Sequence, residues 1–155
     1  MFVTPIVLIS TFSLDQALSP LVNTAKIFSG ISPSVLSAKI LIGTMSGTSL
    51  DGIDIALTKI HKNKISVVDF LHVNYPTRLK ENILKLHFPE KNELEKSLLL
   101  SNELAILTGK GINRLLLKNS LSAKRIKGVG YHGQTIRHRP DKGFSSQIGN
   151  ADLLS

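Results

Sequence analysis

Residues 39–59 read KILIGTMSGTSLDGIDIALTK, and this stretch decides the fold. An apolar run, Ile40 to Ile42, enters a loop of Gly43, Thr44, Ser46, Gly47, Thr48, Ser49, Asp51 and Gly52. The chain leaves it through Ile53, Ile55 and Leu57, which alternate with Asp54, Ala56 and Thr58. A period of two is the mark of a half-buried strand. The stretch is therefore predicted to be strand, loop, strand: a hairpin with a glycine- and hydroxyl-rich tip. Glycines let backbone N–H groups come close to a ligand, and successive amides form an anion-binding nest. Hydroxyls add donors for phosphate oxygens. Asp51 and Asp54 are hard oxygen ligands of the kind that hold Mg²⁺ directly or through water. The residues alone leave two readings open, a phosphate cradle and a glycine-rich turn with no ligand. A Walker A loop requires a lysine that this loop lacks. A dinucleotide fingerprint leads into a helix, whereas a strand pattern follows here.

Working outward, Lys62-Asn63-Lys64 reads as a turn and Ile65 to Tyr75 as a third strand, rich in β-branched and aromatic residues. Pro76 ends it, and Thr77 is the expected N-cap of a short helix, Arg78 to Leu86, broken by Phe88-Pro89. Asn92 to Lys118 is predicted to be the longest helix. Asn92 is its expected cap, and Glu93 and Glu95 lie in the first turn, where the helix dipole favours acids. Leu100, Leu104, Leu107 and Leu115 form an apolar stripe for one sheet face. Gly109 and Gly111 mark either a kink or a close approach to a neighbour. Ile126 to Tyr131 (IKGVGY) reads as a buried strand, followed by a polar loop. Three strands, helices, then a strand make an α/β fold. Ligands in such sheets gather beyond the carboxyl ends of strands, where His132 to Thr135 would lie.

The chain has 155 residues, enough for one domain with a core, and no cysteine, which excludes disulfide scaffolds and thiolate metal sites. Its net charge is +8. Residues 108–142 carry nine cations (Lys110, Arg114, Lys118, Lys124, Arg125, Lys127, Arg137, Arg139, Lys142) against Asp141, so the charge is concentrated there. Such a segment serves an anionic small molecule, a polyanion or solubility. Nucleic acid is disfavoured, because no zinc finger, helix-turn-helix or aromatic-basic platform accompanies it. Within it and just beyond, His132, Gln134, Arg137, His138, Arg139 and Gln147 can orient a polar ligand. The alternative is a basic surface hairpin turning at Arg139-Pro140-Asp141. His132 and His138 lack a third metal ligand at recognisable spacing.

Residues 1–37 look unlike the rest. MFVTPIVLIS is apolar but interrupted by Pro5, preceded by no Lys or Arg, and too short for a membrane span. Residues 1–37 are expected to be a poorly ordered leader. A membrane anchor at Met1 to Ser10 is the competing expectation, to be seen as pelleting with membranes.

IGTMSGTSLDGIDIAL at residues 42–57, followed by GYHGQTIRHRPDKGFSSQIGNADLL at 130–154, resembles the amino-terminal part of anhydro-N-acetylmuramic acid kinases. The match runs from about Lys39 to Ser155, and the combination of MSGTSLDG with HGQT and QIGN is specific. The resemblance implies an actin-like, sugar-kinase fold whose first lobe is ribonuclease-H-like, with a mixed sheet and flanking helices, truncated after residue 155. It implies ATP and Mg²⁺ as cofactors. It also implies conversion of 1,6-anhydro-N-acetylmuramic acid to N-acetylmuramic acid 6-phosphate in peptidoglycan recycling, in the cytoplasm and in a homodimer when full length. By the same similarity Gly47, Thr48, Ser49, Leu50, Asp51, Gly52, Ile53 and Asp54 take the ATP phosphates. Asp51 and Asp54 are the Mg²⁺ candidates, and His132, Gln134, Arg137 and Gln147 face the sugar. The family's general base is an Asp closing an arginine-rich segment downstream of QIGN. Asp141 and Asp152, the acids after Glu103, do not stand in such a segment, so the base is expected beyond Ser155. Residues 38–155 are accordingly expected to be part of the first lobe, inactive alone. The alternative is a non-catalytic module that binds a nucleotide or polyanion.

Overall fold

Strands β2 (Lys39–Ser46), β3 (Gly52–His61) and β4 (Lys64–Asn74) form an antiparallel meander. The computed structural model describes residues 6–8, 38–62 and 64–155. β2 pairs with β3 from Lys39↔Ile60 to Ser46↔Ile53, and β3 with β4 from Gly52↔Asn74 to His61↔Lys64. The alternation in β3 sends Ile53, Ile55 and Leu57 into the core. Two helices follow, α1 (Thr77–Lys85) and α2 (Glu93–Lys118), and then β5 (Ile126–Tyr131), which lies parallel to β2. β1 (Ile6–Leu8) pairs parallel with the other edge of β5, giving the order β1-β5-β2-β3-β4. The fold is thus α/β, a mixed sheet with flanking helices. Apart from Ile6–Leu8, the expected leader lies outside the described residues, and so does the anchor reading of Met1 to Ser10. Among the described residues no helix is long and apolar enough to cross a membrane.

α2 is one unbroken helix. A Cβ on Gly111 would sit 2.4 Å from Ile55 Cδ1 and 2.8 Å from Val73 Cγ2, so this glycine marks a close approach to β3 and β4. Leu100, Leu104 and Leu115 are buried on the same side as Ile112 and Leu116, and Leu107 packs against them. At the far end, Asp69 of β4 accepts from Lys118 Nζ (2.9 Å) and Asn119 Nδ2 (2.8 Å). With the Phe70 amide, these donors hold its carboxyl at about 2.

Three local expectations need correction. Helix α1 starts at Thr77 itself, with Pro76 in the capping position and no side-chain cap. Asn92 does precede α2, but at φ 57 its side chain makes no capping bond. The segment after β5, expected as a polar loop, contains a second, two-stranded sheet: β6 (Gln134–Arg139) paired with β7 (Phe144–Ile148). It reverses at Pro140–Lys142 and Gly143, whose φ of 75 suits glycine, so the hairpin alternative is the one observed. Ile136 and Ile148 are buried, which gives the hairpin an apolar face that its intervening charges disguise in the sequence. A single helical turn, α3 (Ala151–Leu154), completes the chain, capped by the Asn150 side chain.

Candidate functional site

Residues 47–51 connect β2 to β3. The Leu50 amide donates to the Gly47 carbonyl (3.2 Å), which closes a tight turn. Leu50 sits at φ 54, a conformation that costs a residue with a branched side chain. Its side chain is completely buried, and that burial holds the turn down on the core. Gly47, Thr48 and Ser49 are exposed. Among the described residues no backbone hydrogen bond engages the amides of Thr48 and Ser49. The loop therefore has a pinned base and a tip with donors to spare. Leu50 and Ile53 can reach a ligand through backbone groups only, since both side chains belong to the core.

The acids of this region are differently placed. Asp51 is exposed and lies 3.6 Å from Lys80 Nζ. Asp54 contacts His72 Nδ1 (2.7 Å), its direct partner across the β3–β4 pair. The His72 ring also covers Gly52, where a Cβ would come within 2.5 Å of Nε2. Among the described residues no group of three His, Cys, Asp or Glu side chains could hold a metal. Mg²⁺ bound with a nucleotide needs less, one or two carboxylates completed by waters and phosphate oxygens, and Asp51 or Asp54 fits that requirement chemically.

Below the tip, polar groups are densely satisfied. Gln134, at the start of β6, is 0% exposed. Its Nε2 donates to the carbonyls of Gly47 (3.1 Å) and Thr135 (3.2 Å). Its Oε1 accepts from Tyr75 OH (3.0 Å) and from Ser46 Oγ. Ser46 Oγ also lies 2.7 Å from Tyr75 OH and 3.1 Å from the Gly52 carbonyl. Burial pushes the Tyr75 hydroxyl up to about 12, so it keeps its proton. Gln134 was expected to meet a sugar, but every donor and acceptor it owns is spent on the protein.

The remaining residues of that cluster divide. Gly133 turns the chain at φ 69, and a Cβ there would lie 2.3 Å from the Ile148 carbonyl, so only glycine fits. That turn sets His132 beside Gln147. His132 Nδ1 lies 3.0 Å from the Gly133 carbonyl, to which it can only donate, so Nε2 is the acceptor for Gln147 Nε2 (2.9 Å). Burial lowers the His132 pKa and so favours this neutral ring, with the Gly133 bond acting in the opposite direction. Gln147 Oε1 is buried with no partner. It is an acceptor awaiting a donor. Arg137 turns away from this pair: Nε donates to the Leu86 carbonyl (3.1 Å) and an amino group to Glu93 (2.7 Å). Arg139 is paired with Asp141, and His138 is exposed.

A cavity of about 310 Å³ joins the two regions, lined by Thr48 from the loop tip and by His87, Pro89, Thr135, Arg137 and Arg139. His87 Nε2 is buried without a partner. Another cavity of about 310 Å³ lies between α1 and α2 and shares no residue with the loop. Of its charges, Arg78 pairs with Glu103 and Lys96 with Glu90, while Lys85 donates to Asn82. Tyr75 and His87 escaped notice as site residues in the sequence. Only Tyr75 carried a signal: a meander brings the end of the third strand back beside the first loop.

The family model described as "Anhydro-N-acetylmuramic acid kinase" matches residues 39–155. Among curated relatives, the protein of that name from Thiobacillus denitrificans is 41% identical over 115 residues, covering 74% of this chain and 30% of the relative. That from Pseudomonas putida is 40% identical over 114 residues, covering 74% and 31%. That from Neisseria meningitidis serogroup C is 38% identical over 115 residues, again covering 74% and 31%. The chain spans about three tenths of the length of these relatives, 30–31%.

Proposed function

The chain belongs to the anhydro-N-acetylmuramic acid kinase family, and from that premise we propose that it forms the phosphate-binding part of the kinase's first, actin-like lobe. The reaction proposed for the whole kinase has two parts. Water adds at the anomeric carbon of 1,6-anhydro-N-acetylmuramic acid, and the bond from that carbon to O6 breaks. O6 takes the γ-phosphoryl group of ATP, giving N-acetylmuramic acid 6-phosphate and ADP, and the water's proton passes to a carboxylate base. One observation carries this assignment: the tip at Gly47 to Ser49 presents unengaged amides and hydroxyls above a pinned base, beside a cavity bordered by Arg137 and Arg139.

Phosphoryl transfer depends mainly on positioning and charge neutralisation, which a rigid nest of donors supplies. The amides of Thr48 and Ser49 and their hydroxyls would hold phosphate oxygens. Asp51 or Asp54 would hold Mg²⁺, which when bound offsets the charge of the phosphates. Gln147 Oε1, the orphaned acceptor next to His132, suits an N–H or O–H of an amino sugar, and the neutral His132 fixes its orientation. Arg139 and the unused nitrogen of Arg137 border the cavity and suit a lactyl carboxylate. No general base is assigned within the chain, because Asp141 is held by Arg139 and Asp152 is exposed in α3. ATP binding without sugar phosphorylation is the activity proposed for residues 1–155. The full-length kinase is proposed to be a cytoplasmic homodimer.

The test is calorimetry of ATP–Mg²⁺ against the chain and against Gly47→Asp. A Cβ at Gly47 meets nothing nearer than Ser49 Oγ at 3.4 Å, so the variant folds while placing an anion where phosphate would sit. Loss of tenfold or more in affinity is expected, a difference of about 1.4 kcal/mol. Equal binding by both proteins would refute the cradle. Incubation with the anhydro sugar and ATP is expected to give no phosphorylated product.

A further inference from the structure

We infer that Gln134 is a positioning residue, the clamp by which the β6–β7 hairpin sets the shape of the loop at residues 47–51. This rests on the assignment of that loop to phosphate. Two backbone carbonyls mark the two ends of the loop, and each is held from outside it. Gly47 O accepts from Gln134 Nε2 (3.1 Å), and Asp51 O accepts from the Tyr75 amide (3.5 Å). The hydroxyl of Tyr75 donates to Gln134 Oε1, as does that of Ser46, so one amide group holds the first end directly and the second through Tyr75.

The orientation of that amide is forced. Nε2 faces two carbonyl oxygens and Oε1 faces two hydroxyls. A flipped amide would set Oε1 against the carbonyls, acceptor against acceptor. Glutamate, nearly the same shape, fails for the same reason: its second oxygen cannot donate to Gly47 O and would carry charge into a completely buried site. A glutamine used for a ligand would keep a donor or acceptor free, and this one keeps none. The chemistry that made Gln134 look like a sugar contact instead transmits the position of the hairpin, with its His132–Gln147 pair, to the phosphate loop. Buried polar networks of this kind fix geometry because each missing bond is costly in a low dielectric.

Amide hydrogen exchange of the whole chain, followed by NMR, tests this without any ligand. In Gln134→Glu, exchange at the Leu50 and Tyr75 amides is expected to rise tenfold or more, while Lys59 and Ile60 at the opposite end of β3 keep their rates. Unchanged rates at Leu50 and Tyr75, or an equal rise everywhere, would overturn the inference. Should Gln134→Glu not fold, Tyr75→Phe removes a single hydroxyl and is expected to raise the same two rates at least threefold, with the same overturning results. Calorimetry with tripolyphosphate, which carries no nucleoside, gives the second readout. Weaker binding by these variants supports the clamp, and wild-type binding overturns it. If no form binds tripolyphosphate but exchange at Leu50 and Tyr75 responds, the phosphate assignment falls and the clamp stands.

Discussion

The loop at residues 47–51 and the hairpin of β6 and β7 both look like ligand surfaces in the sequence, yet they spend their polar groups in opposite ways. The loop turns its one large apolar side chain, Leu50, into the core and leaves amides and hydroxyls outside. The hairpin turns much of its polar chemistry inward. Gln134 is fully buried, Arg137 holds Leu86 and Glu93, and His132 is paired with Gln147. A rich set of polar side chains is thus a poor guide to where a ligand sits. Backbone donors left without partners are a better one, since folded chains rarely leave them so.

This contrast is open to direct attack, beginning with the substitution expected to matter most. Gln134→Leu takes a donor from the Gly47 and Thr135 carbonyls and an acceptor from the hydroxyls of Ser46 and Tyr75, in a buried site. It should cost about 2 kcal/mol in urea unfolding, the middle of the range for disrupted buried hydrogen bonds. A loss below about 0.5 kcal/mol, the level of an ordinary surface change, would mean that the hairpin does not brace the loop. Arg137→Ala comes next. Its partner Glu93 is 30% exposed and solvent discounts the pair, so about 1 kcal/mol is expected, together with a looser start to α2.

A smaller, pH-dependent loss is expected at His132. Its folded pKa lies below the value near 6.5 of an unfolded chain, so the folded state binds its proton less readily. The stability this contributes is fully present above that unfolded value, and it is lost as pH falls through the lower folded pKa. His132→Gln should flatten this part of the stability profile. An unchanged slope would show that the ring is not buried as described. Last, Thr48→Ala at the exposed tip should alter stability by less than about 0.5 kcal/mol. Its affinity for ATP–Mg²⁺ should nevertheless fall severalfold. Tip and brace would then rank in reverse order for stability and for binding. If Thr48→Ala weakened neither, the tip would be an ordinary turn.

Much of the architecture was legible because the patterns responsible are local. The alternation from Ile53 to Leu57 gave β3, and the leucine stripe of α2 gave its buried face. The glycines and hydroxyls indicated a turn between β2 and β3, but Gly43, Thr44 and Ser46, expected in the loop, belong to β2, where pairing with β3 continues to Ser46↔Ile53. The β6–β7 hairpin was less clear, because Arg137, His138 and Arg139 interrupt its apolar face and the strands are short. Gly109 and Gly111 could not be told apart from sequence. Only contact with Ile55 and Val73 shows that Gly111 is the one that needs to be small.

The sequence by itself determined the strand–loop–strand at residues 39–59, the long helix, the concentration of positive charge and the family. Each depends on the order of residues along the chain, which periodicity and motif spacing record. Only the tertiary structure decided which polar groups are used up. Gln134 lies 87 residues from Gly47 and 59 from Tyr75, and the meander and the parallel strand β5 bring them together. Whether a hydrogen-bonding group serves the fold or a ligand depends on its neighbours in space, and those are set by packing.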